Sequence, residues 1–191
     1  IGYQALDAAA TSDYNTAVGH QALSGVNGDG TAGNVAVGYQ AGLAITSGLY
    51  NTAIGTYALL TDDTGDRSTA VGYSCMEKQN VGDEITGNTA VGFYAGYNNI
   101  TGKNNTYLGS QAGAGGSGTS NSDNTAVGKD AMVAITTGGG NTILGATAGD
   151  ALTTGDNNTI IGNQAGTTMA LSEEGNVAVG YLAMGLMAEH A

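Results

Sequence analysis

Sixteen acidic side chains against four basic ones and two histidines limit the chemistry this 191-residue chain can attempt. Two carboxylates flanking a sugar linkage can hydrolyse it, and by position Asp62 with Asp83, or Asp130 with Asp150, are such pairs. A chain this acidic produces neighbours of that kind by chance, so cleavage is not the expected reading. A nucleophile relay needs histidine beside serine or cysteine, yet His20 and His190 lie near opposite ends and Cys75 is the lone cysteine. Hard oxygen ligands suited to calcium gather at Asp62, Asp63 and Asp66, at Asp83 with Glu84, and at Asp156 with Asn157. Neither the nonapeptide calcium-roll phrase nor the twelve-residue helical-hand loop accompanies them. Asp62, Asp63 and Asp66 stand as calcium candidates against a background of loop and surface acid. The glycine-rich stretch 113–118 lacks the lysine and following helix of a phosphate loop. The chain reads as a non-enzyme without a cofactor.

A formal charge of -12 argues against nucleic acid and anionic lipid as partners, since both need a basic surface. No run of about 18 apolar residues is present to span a bilayer, so membrane insertion by this segment is not expected. A single cysteine leaves the redox compartment unread. With 34 glycines, no proline, no tryptophan and one phenylalanine, the composition suits tight turns around a narrow interior.

What positions the side chains is one phrase written eleven times. Asn15-Thr16-Ala17-Val18-Gly19 returns at Asn51 to Gly55, Asn88 to Gly92 and Asn124 to Gly128. The closing residues are Gly2, Gly19, Gly38, Gly55, Gly72, Gly92, Gly109, Gly128, Gly145, Gly162 and Gly180, at intervals of 17 to 20. Such regularity predicts a single stack of about eleven units over 1–191, an all-β parallel β-solenoid with one coil per repeat. A second short strand after each glycine is expected to flatten it into a β-roll. The first and last residues already lie inside repeats, so the chain reads as a fragment of a longer repetitive one.

The residue before each glycine is aliphatic: Val18, Val37, Ile54, Val71, Val91, Leu108, Val127, Leu144, Ile161 and Val179. In a short strand the two outer residues share one face and the middle one points away. The aliphatic column is expected to be the structural core, and the motif glycines to turn the chain. The middle column, including Ala17, Ala53, Ala90, Tyr107, Ala126, Ile143 and Ile160, carries no charge, which predicts packing against another subunit. Val91→Asp is then expected to be severe and Ala90→Lys to disrupt association. A change at Asn121, in a variable connection, is expected to be nearly silent. The asparagines that lead nine of the phrases would cap a turn or stack as a ladder, Ser68 being the departure. Tyr39, Tyr73, Phe93, Tyr94 and Tyr181 are candidates for receptor contact, with coverage of the roll edge as the competing reading.

The phrase followed by two variable residues and alanine, seen best at Asn15 to Ala22, Asn88 to Ala95 and Asn158 to Ala165, resembles the repeat of the parallel β-roll heads of trimeric autotransporter adhesins. Similar phrases occur in phage tail fibres and in bacterial fibre proteins that end in an intramolecular chaperone domain. The longer coils and leading asparagines here are nearer to the fibre proteins. The resemblance implies a left-handed, trimeric roll outside the cell, on a virion fibre or bacterial surface. There it would project or form a receptor-binding surface for a cell-surface glycan or protein. The alternative is a self-assembling extracellular filament or surface-layer component with no separate receptor.

Overall fold

The computed structural model describes residues 1–8, 12–27, 30–82, 85–168 and 172–185. Among them are twelve short strands: β1 (Ser12–Asp13), β2 (Thr16–Val18), β3 (Gly30–Thr31), β4 (Val35–Val37), β5 (Thr52–Ile54), β6 (Thr69–Val71), β7 (Thr89–Val91), β8 (Thr106–Leu108), β9 (Thr125–Val127), β10 (Thr142–Leu144), β11 (Thr159–Ile161) and β12 (Val177–Val179). β1 and β3 pair with each other; the other ten form one parallel sheet in chain order, each motif residue opposite its equivalent in the next repeat. The chain is a parallel β-solenoid, and at about 4.8 Å per strand its ladder is about 45 Å long.

Two stacks fix the coil-to-coil register. The motif glycines have φ between 127° and 143°. From Gly2 to Gly162, a Cβ added there would fall inside the 3.0 Å that real Cβ atoms keep from the next motif glycine's carbonyl oxygen. Both the backbone angle and the close approach require glycine. The second stack is made of asparagine. The backbone N–H of Asn34, Asn51 and Ser68 donates to the side-chain oxygen of the preceding repeat's asparagine at 2.8–2.9 Å. Asn105, Asn124, Asn141, Asn158 and Asn176 do the same at 2.8–3.0 Å. From Asn34 to Asn158 each ladder asparagine's side-chain amide reaches a turn carbonyl in its own coil, as Asn51 does to Gly65 and Asn124 to Gly138. Turn capping and the ladder are therefore one device, and it satisfies amides that are buried from Asn34 to Asn158.

Among the described residues no second strand forms around the alanine three places after the motif glycine. The second and fourth residues after it are left-handed in every repeat, for example Gln21 (φ 55°) with Leu23 (51°) and Asp130 (56°) with Met132 (53°). Alternating signs of φ make a tight turn, not an extended segment. That turn carries the buried alanine column Ala22, Ala41, Ala58, Ala95, Ala112, Ala131, Ala148 and Ala165, in which Cys75 takes one place.

The expected inside and outside of the motif strand are reversed. Ala17, Ala36, Ala53, Ala70, Ala90, Tyr107, Ala126, Ile143, Ile160 and Ala178 are buried within their own chain, so they are core, not subunit interface. The aliphatic column faces out: Val18 is 39% exposed, Leu144 47% and Val179 64%, and Val71, Val127 and Ile161 are half-buried. The cause is volume. Where the turn sends two more side chains inward, only a small residue fits between it and the strand.

Those inward side chains show how the interior is filled. The fourth residue after the glycine is large where the strand's middle residue is alanine: Leu23 with Ala17, Leu59 with Ala53, Met76 with Ala70, Met132 with Ala126. It is glycine where the middle residue is large: Gly113 with Tyr107, Gly149 with Ile143, Gly166 with Ile160. A Cβ at Gly113 would run into the Tyr107 ring. Ala36 with Gly42 and Ala90 with Gly96 have two small residues, and side chains from adjacent coils or from farther along the same coil fill the space. Leu23 and Ile45 lie against Gly42, and Tyr107 and Met76 against Gly96. Asn121 belongs to this core as well. It is buried and accepts the Tyr107 hydroxyl, and its carbonyl accepts from Asn105. The connection from 113 to 123 folds inward there, so a change at Asn121 is not silent.

Two outcomes test this core. Ala90→Asp should abolish folding of the coil, whereas Val91→Asp should leave the circular dichroism spectrum unchanged, because its carboxylate points away from the coil's interior; loss of secondary structure in both would refute the assignment. Tyr107→Ala should cost about 3–5 kcal/mol in denaturant unfolding. Adding Gly113→Met, which recreates the Ala126 and Met132 pairing at a φ of 57°, should recover half of that loss or more, and purely additive losses would show that the two positions do not share space.

Candidate functional site

The outward face of the sheet has two columns. One is the aliphatic column; the other is Thr16, Val35, Thr52, Thr69, Thr89, Thr106, Thr125, Thr142, Thr159 and Val177, exposed or half-buried throughout. No charged residue stands in either column, although the chain carries a formal charge of -12. β-Branched side chains favour the extended strand that displays them, and the register keeps each column continuous from β2 to β12.

Beside this face, the first two residues after each motif glycine form an aromatic ridge over the first six repeats. His20 stacks between Tyr3 and Tyr39 at centroid distances of 5.2 and 5.3 Å. Tyr57 bridges edge-on from Tyr39 to Tyr73. Tyr73 stacks on Phe93 with 16° between the planes, and Tyr94 crosses both rings. Four of the five proposed receptor contacts, Tyr39, Tyr73, Phe93 and Tyr94, are thus brought together. Tyr181 is not among them: it is 70% exposed in the last described coil, beyond the non-aromatic stretch Ser110, Lys129, Ala146 and Asn163.

The ridge ends at a cleft of about 300 Å³ lined by Tyr94, Tyr97, Asn98, Gln111, Ala114 and Val133. Tyr94 and Tyr97 meet at 83° with centroids 4.7 Å apart, and the Lys78 ammonium sits 4.5 Å from the Tyr97 centroid. Asn98 is held at both ends, donating to the Gly115 carbonyl and accepting from Lys78 at 2.9 Å each. Gln111 donates to Asp130 at 2.8 Å. Desolvation, reinforced by neighbouring phenols and Glu77, lifts both tyrosines above the ordinary phenol range and keeps them protonated at neutral pH. The sequence reading missed Tyr97, Asn98 and Gln111 because two of them lie in the connection after the turn, outside the repeated phrase.

The calcium candidates are engaged otherwise. An Asp66 oxygen accepts the Leu49 N–H and an Asp63 oxygen accepts the Thr64 hydroxyl. The same use recurs at Asp156, which accepts the Gly139 N–H. Among the described residues no three His, Cys, Asp or Glu side chains are placed to hold a metal ion. Asp83, Glu84 and His190 lie outside the described residues. Cys75 is fully buried, donates to the Ala90 carbonyl, and has its thiol pushed up to about 12 by burial.

Asp62 is not surface acid: it is 0% exposed, in the interior column formed by the seventh residue after the motif glycine. That column reads Val26, Ile45, Asp62, Gln79, Asn99, and later Ile135 and Leu152, all buried. The polar stretch repairs a defect, because Ser68 is too short to continue the asparagine ladder. The Gln79 amide donates to Asp62 at 2.7 Å and to the Ser68 hydroxyl at 2.8 Å, and its oxygen accepts from Asn88 at 2.9 Å. Thr86 bonds Ser68 as well. The other Asp62 oxygen has no well-aligned partner.

No protein-family model matches this chain, and no curated protein or solved structure is significantly similar to it. No described helix is long and apolar enough to cross a membrane.

Burial raises the Asp62 carboxyl to about 6 from an ordinary value of 3.8. The folded state therefore binds this proton more tightly than the unfolded chain. Asp62's contribution to stability is fully present below about pH 3.8 and is lost as pH rises through about 6, where a buried charge costs about 3 kcal/mol. Asp62→Asn should raise the melting temperature by about 6–12 °C at pH 8 and change it little at pH 4. Equal shifts at both pH values would show that Asp62 does not change its ionisation in the fold between them.

Proposed function

We propose that this chain is a non-enzymatic segment of an extracellular attachment fibre, of the kind found in phage tail fibres or in the heads and shafts of bacterial surface adhesins. Its copies associate side by side through the outward sheet face, three to a rod. The observation that carries the reading is the uncharged aliphatic column displayed along the whole ladder, from Val18 to Val179. Continuous apolar strips of this length on a soluble chain mark surfaces that meet another molecule. Another copy has a strip of the same pitch, because the glycine and asparagine stacks set it.

The number three and the extracellular setting come from the repeat's resemblance to adhesin heads and tail-fibre proteins. The threonine column supports the association chemically, since its hydroxyls and methyls can pack against an aliphatic column without leaving a charge buried. The ridge and its cleft lie on another part of the coil, after the motif glycine, and stay open to a receptor in such an assembly.

Light scattering of the purified chain tests this reading. The parent should have the mass of three chains, and the double variant Val91→Lys with Leu108→Lys the mass of one, with unchanged circular dichroism. A monomeric parent, or a variant assembled like the parent, would overturn the proposed face. Open-ended polymers without a defined mass would support the filament instead.

A further inference from the structure

We propose that the cleft at Tyr94, Tyr97, Asn98 and Gln111 binds a neutral pyranose unit of a glycan. This deepens the attachment reading and rests on it, because it names what such a fibre would hold. Three features select the ligand class. The first is charge: no acid or base lines the cleft, in a chain with sixteen acids and four bases. Asp130 stands behind Gln111 and is paired with Lys129, and Lys78 is engaged with Asn98 and the Tyr97 ring. With the neighbouring charges already partnered, the lining offers a sugar neutral hydrogen-bonding groups.

The second feature is ring geometry. Along the ridge, Tyr73 and Phe93 cover each other's faces at 16°, so a sugar would find mainly edges there. At the cleft Tyr94 and Tyr97 cross at 83° and form a corner. One wall of that corner can take the C–H face of a pyranose while the crossing phenol offers a hydroxyl to it.

The third is preorganised amide chemistry. Asn98 and Gln111 are each fixed by a bond to the protein, yet a carboxamide has two N–H donors and two acceptor lone pairs. The fixed groups retain capacity for the paired donors and acceptors of adjacent sugar hydroxyls, and little side-chain freedom is lost on binding. Ala114 and Val133 supply an apolar floor. A volume of about 300 Å³ is at the lower end of ligand pockets, the size for a single ring and not for an extended chain.

Saturation-transfer NMR on the whole chain reads this site directly, using methyl glucoside, methyl galactoside, methyl mannoside and N-acetylglucosamine, with N-acetylneuraminic acid and glucuronic acid as anionic comparisons. Transfer to the ring protons of at least one neutral sugar is expected. It should fall at least fivefold in Tyr97→Ala and in Gln111→Ala, and persist in Tyr39→Ala. No transfer to any neutral sugar would overturn the proposal, as would stronger transfer to the anionic ones or a loss in Tyr39→Ala while Tyr97→Ala still binds. Circular dichroism checks that each variant is folded; Gln111→Ala, on a half-exposed turn, keeps the test decisive if Tyr97→Ala is not. Light scattering on the same samples separates the two readings. An assembled rod without transfer overturns the cleft alone, and a monomer that transfers overturns the fibre alone.

Discussion

The contact on which the molecule depends is the approach of one glycine backbone to the next. From Gly2 to Gly162, the space a Cβ would need is taken by the carbonyl oxygen of the following motif glycine. Successive coils therefore meet at a fixed height and angle, and every other column inherits that registration. Length differences between repeats, from 17 to 20 residues, are absorbed in the connections, where Asn121 folds back to cap Tyr107. A repeat protein of this kind has no central core. It has a line of nearest-neighbour contacts, and each must be good in itself.

Because the coil is narrow, its filling is a matter of exchange between positions six residues apart. In most coils alanine in the strand is matched by leucine or methionine in the turn, and isoleucine or tyrosine in the strand by glycine in the turn; Ala36 with Gly42 and Ala90 with Gly96 depart from it. Close packing favours such compensation between the two columns. The leucines and methionines at these turn positions adopt left-handed backbone angles, at φ 47° to 53° for Leu23, Leu59, Met76 and Met132. That conformation is unfavourable for them in isolation. Burial of a whole side chain outweighs it.

The solenoid, its strands, the motif glycines and the asparagine ladder were legible in the sequence, since each depends on spacing alone. Which face of the strand points inward was not. Three residues alternate the same way in either orientation, and hydrophobicity ranks valine above alanine. The deciding information was size: Gly113 answering Tyr107 and Met132 answering Ala126 is a pattern of paired columns, visible only when two positions are compared along all repeats. Asp62 was misread for a related reason. As an isolated acid in a polar connection it looks like surface, and its burial follows from Ser68 two columns away, where the ladder needs a substitute. The cleft was hidden because Tyr97 and Asn98 lie outside the phrase and Gln111 reaches them from the adjacent coil.

The passage of the ladder through Gln79 has a mechanical meaning. A rod pulled at its ends loads its junctions in series, so extension begins at the weakest one. Elsewhere asparagine passes directly to asparagine through a backbone N–H, as between Asn124 and Asn141. Between Ser68 and Asn88 the connection runs through a flexible side chain that also holds a buried acid. Among the described coils that junction is the one step at which no side chain of one phrase bonds the backbone of the next, so load carried by the ladder there passes through Gln79.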